Sequence, residues 1–267
     1  MKKITVLGAS GKMGKAIITS ISEAADCQLI SAVCEQQDPN LGKDAGENSG
    51  LSKLGVNLVG PMSDFLSNSD VVIDFTLPDA LENNLVMCVE KNVPMTIGVT
   101  GLSKAQFAAI NEASNSIPIL YERNMSIGIN ALLSVIKTLS KILDKSFDTE
   151  IIEAHHRHKI DSPSGTAIAI GEAIAQAKNL KFSDMYDPAR QSNRSPRAIN
   201  TIGISSVRGG GFIGDHTVSF TSEEESIEIK HHAIDRKCFA QGAVLASKWL
   251  IGKEPALYSM NDVLGLK

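Results

Sequence analysis

The chain has 267 residues, of which 43% are hydrophobic and 21% charged, a composition typical of a folded globular protein with one or two domains. Its formal net charge of −4 and its lack of a basic run argue against nucleic acid as a partner, and no apolar stretch is long enough to span a membrane. The four cysteines are far apart and form no Cys-x-x-Cys pair, so we predict reduced thiols and a cytoplasmic protein.

Short β-branched segments alternate with helical patterns in the first half of the chain. Strands are predicted at residues 4–7, 28–33, 71–75, 95–97 and 117–120. Helices are predicted from Lys12, over residues 78–90 and after a capping Ser103. Residues 36–55 show the hydrophobic periodicity of neither a helix nor a strand and are predicted to form a mobile surface loop. The alternation predicts an α/β fold, with parallel strands joined by helical crossovers.

The pattern changes after residue 120. A long helix at residues 129–143 is followed by predicted strands at 147–154, 199–207, 217–220 and 226–232, with tight turns at 209–211 and 223–225. These strands predict a mostly antiparallel or mixed sheet, and a helix at residues 238–250 can pack back on the first domain. We therefore predict one domain from residues 1–126 with 236–267, and a second from residues 127–235.

A glycine turn connects the first predicted strand to the first predicted helix. It consists of Gly8, Ala9, Ser10, Gly11, Lys12, Met13 and Gly14. Glycine permits a tight turn and close approach to a pyrophosphate, whose charge the start of the following helix stabilises. The turn therefore predicts a dinucleotide site.

Glu35 ends the second predicted strand and strengthens this interpretation. A carboxylate at this place can accept hydrogen bonds from the ribose hydroxyls of a dinucleotide, although a solvated strand-end charge is the alternative. The same charge would repel the 2′-phosphate of NADP, and Gln36 offers no cation to offset it. Lys12 or Lys15 could supply one, so we predict NADH or NADPH as the cofactor, with NADH favoured.

Two further strand ends are predicted to face the same crevice. The first comprises residues 74–76, and the second comprises Gly98, Val99, Thr100 and Gly101. Polar groups and glycine at these ends would meet the nicotinamide half of the cofactor, whereas ordinary turn chemistry is the alternative.

Five potentially cationic side chains follow the strand at residues 147–154 in an otherwise acidic protein. They are His155, His156, Arg157, His158 and Lys159. One alternative is an exposed cluster that binds a buffer anion, because charge runs are usually solvated. The other alternative is a zinc site, but adjacent arginine and lysine raise the cost of binding a cation, so we predict no metal.

A helix predicted at residues 167–177 begins shortly after this cluster. The N–H groups of Gly165 and Thr166 at its start can form a cradle for a carboxylate. A substrate with two carboxylates would find this cradle for one and histidine and lysine donors for the other. Hydride transfer to a C=N or conjugated C=C–C=N group also needs a proton, which histidine or lysine can deliver. We therefore predict that residues 153–166 form the catalytic centre of a nicotinamide-dependent reductase.

These motifs resemble those of the 4-hydroxy-tetrahydrodipicolinate reductase (dihydrodipicolinate reductase) family of lysine and diaminopimelate biosynthesis, over essentially the whole chain. The most specific match lies at residues 153–167 and has the pattern Glu-Ala-His-His-Arg-His-Lys-x-Asp-x-Pro-Ser-Gly-Thr-Ala. The resemblance implies a Rossmann-type dinucleotide-binding domain and an α+β mixed-sheet domain that binds substrate and forms a homotetramer. It also implies reduction of (2S,4S)-4-hydroxy-2,3,4,5-tetrahydrodipicolinate to (S)-2,3,4,5-tetrahydrodipicolinate with loss of water, the hydride from NAD(P)H going to ring C4.

The resemblance further implies a role for each matched residue. His155 would be the acid/base group and Lys159 the proton donor, while His156, Gly165 and Thr166 would bind the substrate carboxylates. The implied cofactor contacts are Gly8, Ala9, Ser10, Gly11, Lys12, Met13, Glu35, Gly98, Val99, Thr100, Glu122, Arg123, Asn124 and Met125.

Two places depart from the family pattern. Many members have arginine where this chain has Gln36, and small apolar residues where it has Glu122 and Arg123. Efficient NADPH use and side-chain roles at Glu122 and Arg123 therefore do not follow from the resemblance. Another Rossmann-fold amino-acid or imine dehydrogenase stays open as an alternative, as does a non-enzymatic dinucleotide sensor, which would leave residues 155–166 without a function.

Overall fold

The computed structural model describes residues 1–61, 66, 68–188 and 195–266. Its strands are β1 (Lys2–Leu7), β2 (Cys27–Val33), β3 (Leu58–Val59), β4 (Val71–Asp74), β5 (Met95–Ile97), β6 (Ile119–Tyr121), β7 (Asp148–His155), β8 (Ile202–Arg208), β9 (Asp215–Thr221), β10 (Ser226–His232) and β11 (Leu257–Tyr258). Its helices are α1 (Lys12–Glu23), α2 (Ala45–Asn48), α3 (Pro78–Glu90), α4 (Lys104–Ala113), α5 (Ile127–Ile142), α6 (Gly165–Ala177), α7 (Phe182–Met185), α8 (Lys237–Leu250) and α9 (Met260–Leu264).

The chain forms two compact units, one of Met1–Ile127 with Arg236–Lys267 and one of Gly128–Asp235. The first unit contains a seven-stranded sheet in the order β11-β6-β5-β4-β1-β2-β3, and every neighbouring pair is parallel. The strand order reverses between β1 and β4. Ligands of open α/β sheets bind outside the carboxyl ends of the strands at such a point.

Helices cover both faces of this sheet, as its nearly continuous apolar strands require. Residues of α1 and α8, among them Ile17 and Val244, pack on one face, and residues of α3 and α4, among them Leu85 and Ile110, pack on the other. The α/β prediction with a Rossmann-type parallel sheet is confirmed.

The prediction for residues 36–55 is wrong in part, because this segment contains α2. Asp44 precedes the helix, and its carboxylate accepts hydrogen bonds from the backbone N–H groups of Gly46, Glu47, Leu54 and Gly55, at 2.8 to 3.2 Å. One buried aspartate therefore organises a stretch that lacks hydrophobic periodicity, and β3 then follows it.

The second unit contains a four-stranded mixed sheet in the order β10-β9-β7-β8, in which only the β7–β8 pair of these described strands is parallel. Side chains alternate across β7. Ile151 faces a core that includes Ile136 of α5 and Ile170 of α6, while Ile152 on the opposite face is 47% exposed. The same helix-covered face continues through Glu153 to His155 at the end of the strand.

The chain turns at residues 210–211, within the predicted turn at residues 209–211, but the strands on either side of this turn do not form a hairpin. β8 and β9 are not neighbours, because β7 lies between them, and the segment after β8 crosses from one side of β7 to the other. The predicted turn at residues 223–225 is confirmed as the link between antiparallel β9 and β10, with the Ser222 N–H donating to the Glu225 carbonyl at 2.9 Å. Within the described part of the chain, no helix has the length and apolar character needed to cross a membrane.

Candidate active site

The glycine turn lies at the carboxyl end of β1, where Gly8 has a φ of +75°. A Cβ on Gly8 would come 2.8 Å from the Phe75 carbonyl oxygen. A Cβ on Gly14 would come 2.6 Å from Ala9 Cα and still closer to the Gly8 carbonyl oxygen. Only glycine fits at either place. Gly11 precedes α1, which has no side-chain cap among the described residues, so the N–H groups of its first turn suit an anion.

Glu35 follows β2 and is exposed. The neighbouring Gln36 packs over Gly60, where an added Cβ would come 3.1 Å from Gln36 Cδ. Asp38 is held at the glycine turn, because the Ser10 hydroxyl donates a hydrogen bond to its carboxylate. This bond and the one from the Asn40 N–H, at 2.7 Å, lower the pKa of Asp38 and keep it charged.

The end of β4 is an internally bonded turn. Asp74 is fully buried, and its carboxylate accepts hydrogen bonds from the N–H and hydroxyl of Thr76, at 2.8 and 2.6 Å, and from Asn84 Nδ2 at 2.9 Å. Burial raises the pKa of Asp74, although these bonds oppose the shift. The Asp74 side chain therefore shapes the turn and is buried, so of residues 74–76 it is the Asp74 carboxylate that does not provide the exposed polar group expected at this strand end.

Gly98, Val99 and Thr100 follow β5. The Phe75 ring lies over Gly98, where a Cβ would come 2.5 Å from ring atom Cε1, so a side chain at residue 98 would displace this ring. The Gly98 N–H donates to the Asp74 carbonyl at 2.9 Å, which ties the ends of β4 and β5 together. Val99 is buried and Thr100 is exposed.

The segment after β6 contains the last predicted cofactor contacts. The Glu122 carboxylate accepts hydrogen bonds from the N–H groups of Arg123, at 3.2 Å, and Met260, at 3.4 Å. Asn124 accepts the Ser126 N–H at 2.9 Å, and Met125 is buried. The backbone is thus fixed by these side chains in this part of the chain.

In the second unit, Glu153 near the end of β7 is a fully buried carboxylate. Arg208, at the end of the adjacent β8, binds it with two parallel hydrogen bonds, Nη1 to Oε2 at 2.8 Å and Nη2 to Oε1 at 2.7 Å. Burial alone would raise the pKa of Glu153, but hydrogen bonds from Arg208, Ser206 and His155 lower it to about 2. Glu153 is therefore ionised at neutral pH.

His155 lies two residues farther along the same face of β7 and is 8% exposed. Its Nδ1 lies 2.5 Å from Glu153 Oε2. Its Nε2 faces Gly214, where an added Cβ would come within 3.2 Å. Burial is the largest single cause and lowers the pKa of His155, and Lys159 and Arg208 also lower it, whereas Glu153 opposes this shift without reversing it. The neutral ring predominates at pH 7, with its proton on Nδ1 toward the carboxylate and a lone pair on Nε2.

The start of α6 is attached to the same carboxylate. The N–H of Ser164, the N-cap residue, donates to Glu153 Oε1 at 3.1 Å, and its hydroxyl accepts the Ala167 N–H at 3.1 Å. The hydroxyl also lies 3.1 Å from Nε2 of His216, a buried histidine of β9 whose pKa burial lowers to about 4. Gly165 is exposed at the first position of the helix, and Thr166 follows it.

The loop from β7 to α6 carries the remaining predicted residues. The His156 N–H donates to the Phe212 carbonyl at 2.8 Å, and the Lys159 N–H donates to the His156 carbonyl at 3.1 Å. The Lys159 ammonium pairs with Asp161 at 2.8 Å. Arg157 and His158 are exposed. The second unit therefore brings the predicted catalytic and carboxylate-binding residues into one loop and one helix start.

Family models of known proteins match this chain over nearly its whole length. The family model for the N-terminal part of dihydrodipicolinate reductase matches residues 2–125, and the model for its C-terminal part matches residues 128–264. The chain belongs to the dihydrodipicolinate reductase family. It is therefore an NAD(P)H-dependent oxidoreductase.

Individual relatives cover nearly the full chain. A 4-hydroxy-tetrahydrodipicolinate reductase of Acinetobacter baumannii is 43% identical over 266 residues, which span 99% of this chain and 96% of the relative. One of Saccharophagus degradans is 42% identical and covers 99% of both chains. A dipicolinate-bound dihydrodipicolinate reductase from Paenisporosarcina sp. TG-14 has the same fold, with a TM-score of 0.76, 21% identity and 97% coverage of each chain.

Sequence reasoning missed two residues that the structure adds to this site, Arg208 and His216. Each had a weak signal. Arg208 is a cation at the end of a predicted strand and before three glycines, and His216 precedes the predicted strand at residues 217–220. Neither signal says which strand lies next to β7. No cluster of three or more potential metal ligands occurs in residues 1–61, 66, 68–188 and 195–266.

Proposed function

We propose that this protein reduces 4-hydroxy-tetrahydrodipicolinate to tetrahydrodipicolinate with NAD(P)H and releases water, as a step of lysine and diaminopimelate biosynthesis. Family membership supports the reaction. One observation supports the assignment most directly: Glu153 contacts both the buried His155 and the start of α6. A group that can handle protons and a helix start that can bind an anion are thereby held together.

In this proposal the unit of Gly128–Asp235 binds the small dicarboxylate substrate. Gly165 and Thr166 bind one carboxylate with the N–H groups of the first turn of α6, and His156 binds a carboxylate from the preceding loop. A side chain at residue 165 would meet no described atom within 4 Å, which leaves room for a ligand at the helix start.

His155 and Lys159 handle the protons. His155 is the acid/base group, and its neutral ring can accept a proton at Nε2. Lys159 is the proton donor, because its ammonium lies in the same loop and can protonate the carbon skeleton that has received a hydride. The cofactor supplies that hydride when it is bound, so the protein must supply only the proton and the orientation.

The unit of Met1–Ile127 with Arg236–Lys267 binds the cofactor. Gly8, Ala9, Ser10, Gly11, Lys12 and Met13 hold the pyrophosphate, Glu35 holds the adenosine ribose, and the segments Gly98, Val99, Thr100 and Glu122, Arg123, Asn124, Met125 approach the nicotinamide half. We propose a preference for NADH. It is supported by the exposed Glu35 carboxylate, by the packing of Gln36 over Gly60, and by Asp38, which adds a second negative charge at the turn.

We also propose that the protein works in the cytoplasm as a homotetramer. All four cysteines lie within the described residues and none forms a disulfide, which fits a reducing compartment. The face of the four-stranded sheet that carries the exposed Ile152 and Val207 is where we expect subunits to associate.

A coupled assay tests the reaction. Freshly prepared 4-hydroxy-tetrahydrodipicolinate is added to the protein, and oxidation of NADH or NADPH is followed by absorbance. We expect turnover with both cofactors and a higher kcat/KM with NADH. Absence of oxidation with either cofactor would refute the proposed reaction.

Lys159→Ala separates an enzyme from a dinucleotide sensor. Loss of the proton donor is expected to lower kcat by roughly two to four orders of magnitude, the range for general acid catalysis, with NADH binding unchanged. Lys181→Ala, which removes an exposed lysine of the same unit, is the matched control and should keep full activity. Equal turnover by the two variants would show that Lys159 is not the donor.

A further inference from the structure

A buried carboxylate on the core-facing side of β7 requires an explanation. Glu153 follows Ile151 on the face that packs against α5 and α6, where every neighbouring side chain farther back along the strand is apolar or small. Removing a carboxylate from water is costly, and a buried ion pair is by itself weak support for stability. The contacts of Glu153 indicate a role other than stabilising the fold.

The two carboxylate oxygens of Glu153 bind different partners. Oε2 binds His155 Nδ1, at 2.5 Å, and Oε1 accepts the N–H of Ser164, at 3.1 Å. Arg208 contacts both oxygens, so the plane of the carboxylate is fixed. One rigid group therefore lies between the imidazole that handles protons and the N-cap of the helix that would bind a carboxylate.

Each contact fixes a feature that the reaction needs. A hydrogen bond from Nδ1–H to a carboxylate selects the tautomer with its lone pair on Nε2 and stops rotation of the ring. A hydrogen bond from the Ser164 N–H sets the position of the first turn of α6. Together they set the distance between His155 Nε2 and the N–H groups of Gly165 and Thr166.

Arg208 also contacts the loop that contains Lys159. Its Nη2 also donates to the Asp161 carbonyl at 2.7 Å, and the Asp161 carboxylate pairs with the Lys159 ammonium at 2.8 Å. The same guanidinium thus holds Glu153 and the backbone beside the proposed proton donor. On β9, the other neighbour of β7, His216 contacts the Ser164 hydroxyl and lies against the His155 ring, with ring centroids 5.2 Å apart.

We propose that Glu153, held by Arg208, is a positioning residue that sets the geometry between His155 and the start of α6 in the reductase reaction. The proposal rests on the function proposed above. It assigns catalysis to none of Glu153, Arg208 and Ser164, which act through His155, Lys159 and the helix start.

The first test is Glu153→Gln, which keeps the shape but removes the charge and offers N–H groups where only acceptors fit. We expect kcat to fall by about 10- to 100-fold, by analogy with the loss of a carboxylate that orients a metal-bound imidazole, with NADH binding unchanged. Glu223→Gln is the matched control, because Glu223 is an exposed carboxylate in the turn between β9 and β10, at the other end of β9 from His216. The control should keep wild-type kcat.

The pH profile of kcat/KM distinguishes positioning of His155 from a purely structural role. Its acidic limb, where protonation of His155 lowers kcat/KM, would not move if Glu153 had a structural role only. The charged and titratable groups around His155 are Glu153 on β7, Lys159 in the loop, Arg208 on β8 and His216 on β9. Of these, Glu153 raises the pKa of His155, and Lys159 and Arg208 lower it. Glu153→Gln should therefore shift the acidic limb of the profile to lower pH, whereas Glu223→Gln should leave it unchanged.

A double variant separates positioning from mere charge pairing. Glu153→Met with Arg208→Met removes both charges of this ion pair, and replacing a buried ion pair by apolar side chains is often neutral for stability. If Glu153 served only to neutralise Arg208, the double variant would regain wild-type kcat, and the proposal would be overturned. We expect kcat to stay at least 10-fold low, because His155 and Ser164 have lost their common acceptor.

Glu153→Asp covers the case in which Glu153→Gln fails to fold. Aspartate keeps the charge beside Arg208 but withdraws the carboxylate by one methylene, so we expect a folded protein with reduced kcat. Full kcat in Glu153→Asp, or in folded Glu153→Gln with an unmoved acidic limb, would overturn the positioning role. A wild-type protein that fails to oxidise NADH or NADPH would instead refute the reaction itself.

Discussion

Substitution of Gly14 by alanine tests the glycine turn most directly. The new Cβ would come 2.6 Å from Ala9 Cα and 2.7 Å from Ala9 C. Carbon atoms pack at about 3.5 to 4.0 Å, so the start of α1 must move by roughly 1 Å relative to the turn. Both partners are backbone atoms and cannot rotate away. Forced overpacking of this kind costs about 1 to 3 kcal/mol.

Gly14→Ala should therefore lower both stability and cofactor affinity. At about 2 to 4 °C per kcal/mol for a domain of this size, we expect the Tm to fall by roughly 2 to 12 °C. NADH affinity should fall about tenfold or more, because the N–H groups of the first turn leave their place. Differential scanning fluorimetry and NADH fluorescence titration measure the two effects.

Two other glycines provide graded controls for this substitution. At Gly11 the nearest described atom to an added Cβ would be the Gly8 carbonyl oxygen, at 3.2 Å. Gly11→Ala should therefore lower stability less than Gly14→Ala. At Gly211 a Cβ would meet no described atom within 4 Å, and Gly211→Ala should leave both Tm and NADH affinity unchanged. A Gly14→Ala protein with wild-type Tm and NADH affinity would refute the steric argument.

Two further predictions concern charge. The pKa of Glu153 is lowered from 4.5 to about 2 in the folded protein, so its contribution to stability is complete above pH 4.5 and is lost as the pH falls through about 2. Between pH 6 and pH 3 the stability difference between wild type and Glu153→Gln, measured by urea unfolding, should shrink by about 2 kcal/mol; a constant difference would contradict the ion pair. Gln36→Arg should raise the NADPH to NADH ratio of kcat/KM by about tenfold or more through a charge-assisted hydrogen bond to the 2′-phosphate. Gln37→Arg, at the exposed neighbouring residue, is the control, and equal ratios for the two variants would argue against a specific contact.

Local sequence signals predicted the parts of the fold that depend on local chemistry. The alternation of β-branched runs and amphipathic helices predicted the parallel sheet, and the glycine turn predicted the junction of β1 and α1, because steric demands at Gly8 and Gly14 act over a few residues. The glycines at residues 209–211 are a local signal of the same kind. They indicate a turn, but only the tertiary fold decides that the chain crosses β7 before it continues as β9.

The candidate site shows the same division between local and long-range information. His155, Lys159 and Gly165 lie within one segment, so their shared chemistry can be seen in the sequence. Arg208 is brought to the site by the parallel register of β7 and β8, which sets it opposite His155. No sequence period encodes that register, because it follows from how the two strands share one hydrophobic face.

That shared face also explains how the groups of the candidate site are positioned. Along β7 the side chains that face α5 and α6 change from Ile151 to Glu153 to His155 without leaving the face. The backbone that positions His155 is therefore fixed by core packing, and only the last two side chains need polar partners. A carboxylate at Glu153 can be placed there because Arg208, Ser164 and His155 occupy its hydrogen-bonding positions. The site is thus an extension of the core, which is why we expect Glu153 variants to change stability and catalysis together, and why the double variant with Arg208 is needed to separate them.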